Sequence, residues 1–216
     1  MRRVANSLRR FTTISSALDT LRNSRIAFLN PDTWDDKNDA EFIRLYRTAK
    51  ANPNLKALCC TESPESYHLW KVFTNATDRC FIDIVKIPLL RKIKSNDDYF
   101  YAEIEYKTLV QMGNGNFEVA DLPFLKRAGF QDEAEFRIIY VGECVDNAHF
   151  LPIEAAWIRR IVLNPWLSKP LAESVTKTFR EVSGNPKLRV TASKLINSAS
   201  WTDHGKRIVK RDKLSS

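Results

Sequence analysis

Two glutamates set two apart, Glu133 and Glu135, with Arg137 next in line, are the residues whose type and spacing best suit chemistry. Residues i and i+2 of a strand point to one face, so the pair would place two carboxylates about 7 Å apart. Ala134 and Phe136 take the other face, which fits a half-buried strand lining a cleft where carboxylates can do acid–base work. The competing reading is a solvated charge ladder. Glu103 and Glu105 repeat the spacing with Lys107 as an exposed partner, and there the ladder is the better reading. Glu133 and Glu135 differ in their company: the basic pair Lys126-Arg127 precedes them, and their strand runs on into the apolar stretch 138–141.

Several chemistries are missing. The sequence has no G-x-x-x-x-G-K-[ST] or G-x-G-x-x-G loop for a nucleotide, no H-E-x-x-H or C-x-x-C metal pattern, and no G-x-S-x-G elbow. His68, His149 and His204 stand alone, so no metal site is expected. His68 reads as a helix-surface residue. Cys59, Cys60, Cys80 and Cys144 suit neither a disulfide framework nor a zinc knuckle and read as buried thiols.

The elements that must position these groups follow from periodicity. Strands are expected over 10–13, 25–29, 56–62, 79–85, 99–107, 133–141, 149–153, 157–163 and 187–191. Helices are expected over 15–23, 40–51, 64–74, 87–93, 121–129 and 171–182, with a loop at 111–116. Several strands are joined by loops too short for a parallel crossover, so the expected class is α+β with mainly antiparallel sheets and flanking helices. The 216 residues, 44% of them hydrophobic, suit one enlarged domain over 1–193 followed by a basic tail over 194–216. No stretch is long and apolar enough for a membrane span. Arg2, Arg3, Arg9 and Arg10 precede a polar run rather than the apolar centre of a secretory signal, so a cytoplasmic location is expected.

The formal net charge of +8 points to an anionic partner. The tail places Lys194, Lys206, Arg207, Lys210, Arg211 and Lys213 against Asp203 and Asp212, with Trp201 able to stack on an unpaired base. The candidate nucleic-acid contacts are therefore Lys126, Arg127, Trp201, Lys206, Arg207, Lys210 and Arg211.

Three segments taken in order resemble a bacterial family of domains of unknown function, number 2971. The first is Arg25-Ile-Ala-Phe-Leu followed by Pro31 and Trp34-Asp35-Asp36-Lys37-Asn38-Asp39. The second is Cys59-Cys60-Thr61 with Glu65-Ser66 and Trp70, where Cys60 replaces the usual aromatic. The third is Lys126-Arg127 with Phe130, Glu133, Glu135, Phe136 and Arg137. The order of these boxes is similar to that of ADP-ribosyltransferases: a basic residue on a first strand, a hydroxyl residue ending a middle strand, and a late glutamate, often as E-x-E.

That resemblance implies an ADP-ribosyltransferase-like fold with NAD as substrate. Arg10 would clamp the pyrophosphate, with Ser63 beside it. Glu135 would be the catalytic acidic residue, Glu133 would orient the acceptor and Thr61 would prop the glutamate. Tyr67 or Trp70 would face the nicotinamide ring, although the helical spacing of Trp70 and Phe73 also reads as plain core packing. The implied role is a toxin or phage-defence effector with a nucleic-acid or protein acceptor and a neutralising, antitoxin-type protein partner. Two other classes stay open: a non-catalytic nucleic-acid-binding or adaptor module, and a metal-dependent nuclease in which Asp36 and Asp39 converge with Glu135.

Overall fold

Three groups of strands meet along one edge of a single strand, and that meeting point organises the fold. The structure, a computed structural model, describes residues 6–52, 54–73, 78–143 and 147–215. The first group is β1 (Ser7–Thr13), β4 (Arg79–Val85), β10 (Ile158–Leu163) and β11 (Val190–Ala192). The second is β3 (Lys56–Thr61), β8 (Glu135–Tyr140) and β5 (Tyr99–Glu103). The third is the ribbon of β2 (Arg25–Leu29) with β9 (Ala148–Pro152). β3 pairs with β8 along its whole length, but meets β1 only at Arg9↔Thr61 and β2 only at Leu29↔Ala57. Within the main sheet every pairing is antiparallel except β10 with β11, so the fold is α+β with a mainly antiparallel sheet and flanking helices.

Local chemistry sets the helices. α1 (Ile14–Asn23) starts where the Thr13 side chain accepts from Ser16 N, 3.0 Å, and ends at Ser24 in the left-handed region. α2 (Lys37–Ala49) is capped by Asp36, whose carboxylate accepts from Asn38 N and Asp39 N. α3 (Tyr67–Phe73), α4 (Lys86–Lys94) and α6 (Lys169–Val182) follow, the last burying Ala172 and Phe179. The main core lies on one face of the sheet, among Leu8, Phe28, Leu58, Ile82, Ile138 and Phe179. Each of these buried side chains contributes about 1.5–3 kcal/mol relative to exposure.

The excursion between β5 and β8 departs most from the sequence reading. The strand expected over 99–107 breaks at Ile104; its second half, β6 (Glu105–Lys107), leaves the main sheet and pairs in parallel with β7 (Leu125–Arg127). The loop expected at 111–116 is largely helix α5 (Leu109–Asn114), started by a Thr108–Gln111 capping box. The helix expected over 121–129 is absent: Pro123 sits inside a 3-10 turn, Val119–Phe124, where its missing N–H and ring bulk stop a regular helix. Gly129 belongs to a second 3-10 turn, Ala128–Glu133, rather than closing a helix. The tail forms α7 (Ala199–Ser215), and its described side chains are all exposed.

Candidate active site: a buried ion cluster beside a split in the sheet

Glu135 opens β8 directly opposite Thr61, the last residue of β3, and Thr61 in turn faces Arg9 of β1. Direct cross-strand partners share a face with Cβ atoms about 5 Å apart, so Thr61 and Glu135 are neighbours. The Thr61 hydroxyl donates to Glu133 O, 2.5 Å, and accepts from Ser63 N, 3.0 Å, which ties the end of β3 to the turn before β8.

Glu133 is not on the strand. Ala134 adopts φ 39, ψ 54, a left-handed residue that ends the 3-10 turn and cancels the i, i+2 alternation expected of the pair. Lys126 brings the two carboxylates together instead: its Nζ donates to Glu133 Oε2 at 2.6 Å and to Glu135 Oε2 at 3.2 Å. Arg137, 0% exposed, donates from Nε to Glu135 Oε1 at 2.7 Å and forms a two-pronged pair with Asp39 at 2.7 and 2.8 Å. Its Nη1 also donates to Pro123 O, and its guanidinium lies 4.6 Å from the Trp34 ring centroid. Three carboxylates thus share two cations in a nearly dry site.

Burial alone would raise the Glu135 carboxyl, but Arg137 and Lys126 overcome it and hold the group at about 2, anionic at neutral pH. Burial wins at Asp39 and Glu133, both of which are raised despite their cationic neighbours.

The two arginines of β1 diverge. Arg9 faces Thr61, and its Nη1 donates to the carbonyls of Ser63, 2.5 Å, and Glu62, 3.3 Å. Arg10 points to the other face, against the Cys60 and Cys80 thiols, and is 7% exposed. It has no hydrogen-bond or ion-pair partner among the described residues. Burial lowers its pKa, and the neighbouring thiols are neutral, since burial pushes both Cys60 and Cys80 up to about 12. Beyond the single Arg9↔Thr61 bridge β1 and β3 part.

Other candidates land elsewhere. Trp70 is 0% exposed, packed on Phe11 and Phe81 with its Nε1 donating to Glu65 Oε1, so its ring has no face for a ligand. Tyr67 is exposed, edge-on to Trp166 at 5.6 Å. Lys126 is buried by the carboxylates and by Phe130, 4.9 Å away, which removes it from the nucleic-acid contacts; Arg127 is exposed. Trp201 is 79% exposed on α7, and Lys206, Arg207, Lys210 and Arg211 are exposed along the same helix. His68 and His204 are exposed, and Lys107 pairs with Glu105 at 2.8 Å. Cys59 points at Glu135 while Cys60 joins the main core; Cys144 lies outside the described residues. Asp36 caps α2 through Oδ1 while its Oδ2 is buried without a hydrogen-bond partner, and among the described residues no group of three or more carboxylate, thiol or imidazole side chains is placed to hold a metal ion. Sequence reasoning missed Asp39 as the partner of Arg137; the Asp36 cap, which sets Asp39 in the first turn of α2, was the available signal.

No family model and no curated protein matches the sequence. Three solved structures of DarT from Thermus sp. 2.9 are similar in shape. The one in complex with NAD+ has a TM-score of 0.46 at 11% identity over 90% of this chain and 98% of that one. The one in complex with ADP-ribosylated ssDNA gives 0.48 at 13% over the same shares. The complex with carba-NAD+ gives 0.45 at 13%, over 89% and 97%. Assignment of a function therefore rests on the side chains. No described helix is long and apolar enough to cross a membrane.

Proposed function

We propose that the protein is an NAD-dependent ADP-ribosyltransferase that modifies a nucleic acid. The observation that carries this reading is Glu135, a buried carboxylate held anionic at neutral pH by Arg137 and Lys126 directly across from Thr61; Arg10, buried without a counter-ion among the described residues, lies on the other face of the same part of the sheet. Buried charges are ordinarily paired, so an unpaired guanidinium is a candidate anion contact. Guanidinium forks match phosphate oxygens bidentately, and a pyrophosphate at Arg10 would satisfy donors the fold leaves unused.

Glu135 lies on the face of the sheet opposite Arg10, paired across from Thr61, so a dinucleotide would have to pass the end of β3 to reach both. Cleavage of the nicotinamide–ribose bond sends the electron pair to the departing ring and leaves positive charge at the anomeric carbon. A carboxylate fixed there stabilises that charge without reorganising. Arg137 and Lys126 supply the fixing, Thr61 and Ser63 brace the end of β3, and Glu133 orients the acceptor. The acceptor is nucleic acid because the exposed basic residues of α7 provide the phosphate contacts from which most non-specific affinity comes. Such an activity damages the cell's own nucleic acid, which suits a toxin or phage-defence effector held in check by a neutralising protein.

The test is incubation of the purified chain with labelled NAD and single-stranded DNA, RNA or lysate protein. Nicotinamide release with label transferred to nucleic acid is the expected result. No release with any acceptor overturns the reading and favours the adaptor class, which draws on the same burial of Glu135 as a purely structural ion cluster. Deleting residues 198–216 should weaken nucleic-acid binding and flatten its dependence on salt by about 0.7 in slope for each single-strand phosphate that the tail neutralises. An unchanged slope in a salt titration assigns α7 to structure.

A further inference from the structure

On the face opposite Arg10, four charged side chains and Thr61 run in register across five strands: Arg160 faces Asp83, Asp83 faces Arg9, Arg9 faces Thr61, and Thr61 faces Glu135. At the start of this row the β10–β4 register shifts between Ile158 and Arg160, a bulge at Arg159. Bulges re-aim side chains, and the Arg9 guanidinium feels both Arg160 and Arg159.

Arg9 and Arg160 therefore flank the Asp83 carboxylate, with the exposed Arg159 on the bulge next to Arg160. Asp83 is fully buried; its Oδ2 accepts from Arg160 Nε at 2.9 Å, while its Oδ1 has no partner. Arg9 Nε is likewise buried without one. A structural salt bridge would join those two atoms. Instead Arg9 turns its Nη1 to the carbonyls of Glu62 and Ser63, and the pair is left unmade. Burial lowers the Arg9 pKa, and repulsion from Arg160 and Arg159 adds to the lowering against the pull of Asp83.

We propose that Arg9, Arg159 and Arg160 form a phosphate-binding notch that holds the backbone of the nucleic-acid acceptor and leads the strand toward Glu135. Arg9 lies two strands from Glu135, roughly 10 Å, and Arg160 lies as far again beyond it. A strand crossing the sheet along the row thus has a phosphate anchor on one side of the carboxylate and its base beside Thr61. The inference rests on the reading above. The same oxygens could come from the pyrophosphate of the dinucleotide, so the experiment separates the two sources.

The probe is a fluorescently labelled single-stranded DNA oligonucleotide titrated over a range of salt against the full chain, Arg159→Ala and Arg160→Lys, with NAD affinity and melting temperature measured alongside. Arg159→Ala is expected to weaken DNA binding and lower the salt slope by about 0.7, the value for one single-strand phosphate. Arg160→Lys keeps the Asp83 partner and the charge but loses the fork, and is expected to weaken binding with its slope held. A slope unchanged in a stably folded Arg159→Ala overturns the notch. Weaker NAD binding with DNA binding intact assigns the notch to the dinucleotide and overturns the acceptor. A wild-type chain that releases no nicotinamide defeats the transferase reading alone, because the DNA titration still reports on the notch.

Discussion

Arg10→Met should melt at a higher temperature than the wild type and turn over NAD about 10²–10³ times more slowly. Arg10 carries a buried charge with no counter-ion among the described residues. Replacing buried charge by an apolar side chain of similar volume has stabilised other proteins by about 1–4 kcal/mol. For a chain of this size each kcal/mol moves the midpoint by roughly 2–4 °C. The opposite change in turnover follows if the guanidinium is the pyrophosphate clamp, since removing one preorganised charge from a reacting site costs about that factor. The two measurements are a melting curve and nicotinamide release. A variant that loses stability shows Arg10 to be a structural cation. One that keeps full turnover shows that Arg10 binds nothing the reaction uses.

Glu135→Gln should lose turnover by about 10²–10³ and also lose stability. The second loss reverses the expectation for an exposed strand carboxylate, because Glu135 is buried against Arg137 and Lys126. Its carboxyl is held at about 2 against 4.5 for the ordinary group, burial opposing the shift and the two cations producing it. A group with a depressed folded pKa stabilises above its unfolded pKa, and that contribution fades as pH falls to the folded value. The melting-temperature gap between wild type and variant should therefore be widest above about pH 4.5 and close toward about 2. Asp39 and Glu133, raised by burial and in part by Glu135 itself, titrate differently in the variant, so the gap reports the whole ion cluster. The full contribution is about 3 kcal/mol. A gap that stays flat from about pH 6 to about pH 3 removes the ion cluster as the cause.

What the sequence made legible was whatever depends on near neighbours. Alternation located the strand carrying Glu135 and the one ending in Thr61, and the side-by-side cysteines went to opposite faces as alternation requires. Periodicity could not foresee a left-handed Ala134, so the carboxylate pair was right in membership and wrong in geometry. Lys126 reads as a surface cation in sequence because its partners come from three different places: Asp39 on α2, the turn at Glu133 and the strand at Glu135. Arg9 and Arg10 are adjacent and alike; which of them shares a face with Thr61 and Glu135 is decided by the one bridge between β1 and β3.

The Arg137–Asp39 pair joins residues 98 apart, and the Thr61–Glu133 bond spans 72. Contacts of that span close long loops, whose entropy must be met before they reward the chain, so they belong late in folding. Interactions absent from the transition state govern how fast a protein comes apart rather than how fast it assembles. The charged cluster that fixes Glu135 is thus also a latch on the native state: weakening it should leave the folding rate nearly unchanged and shorten the lifetime of the folded molecule.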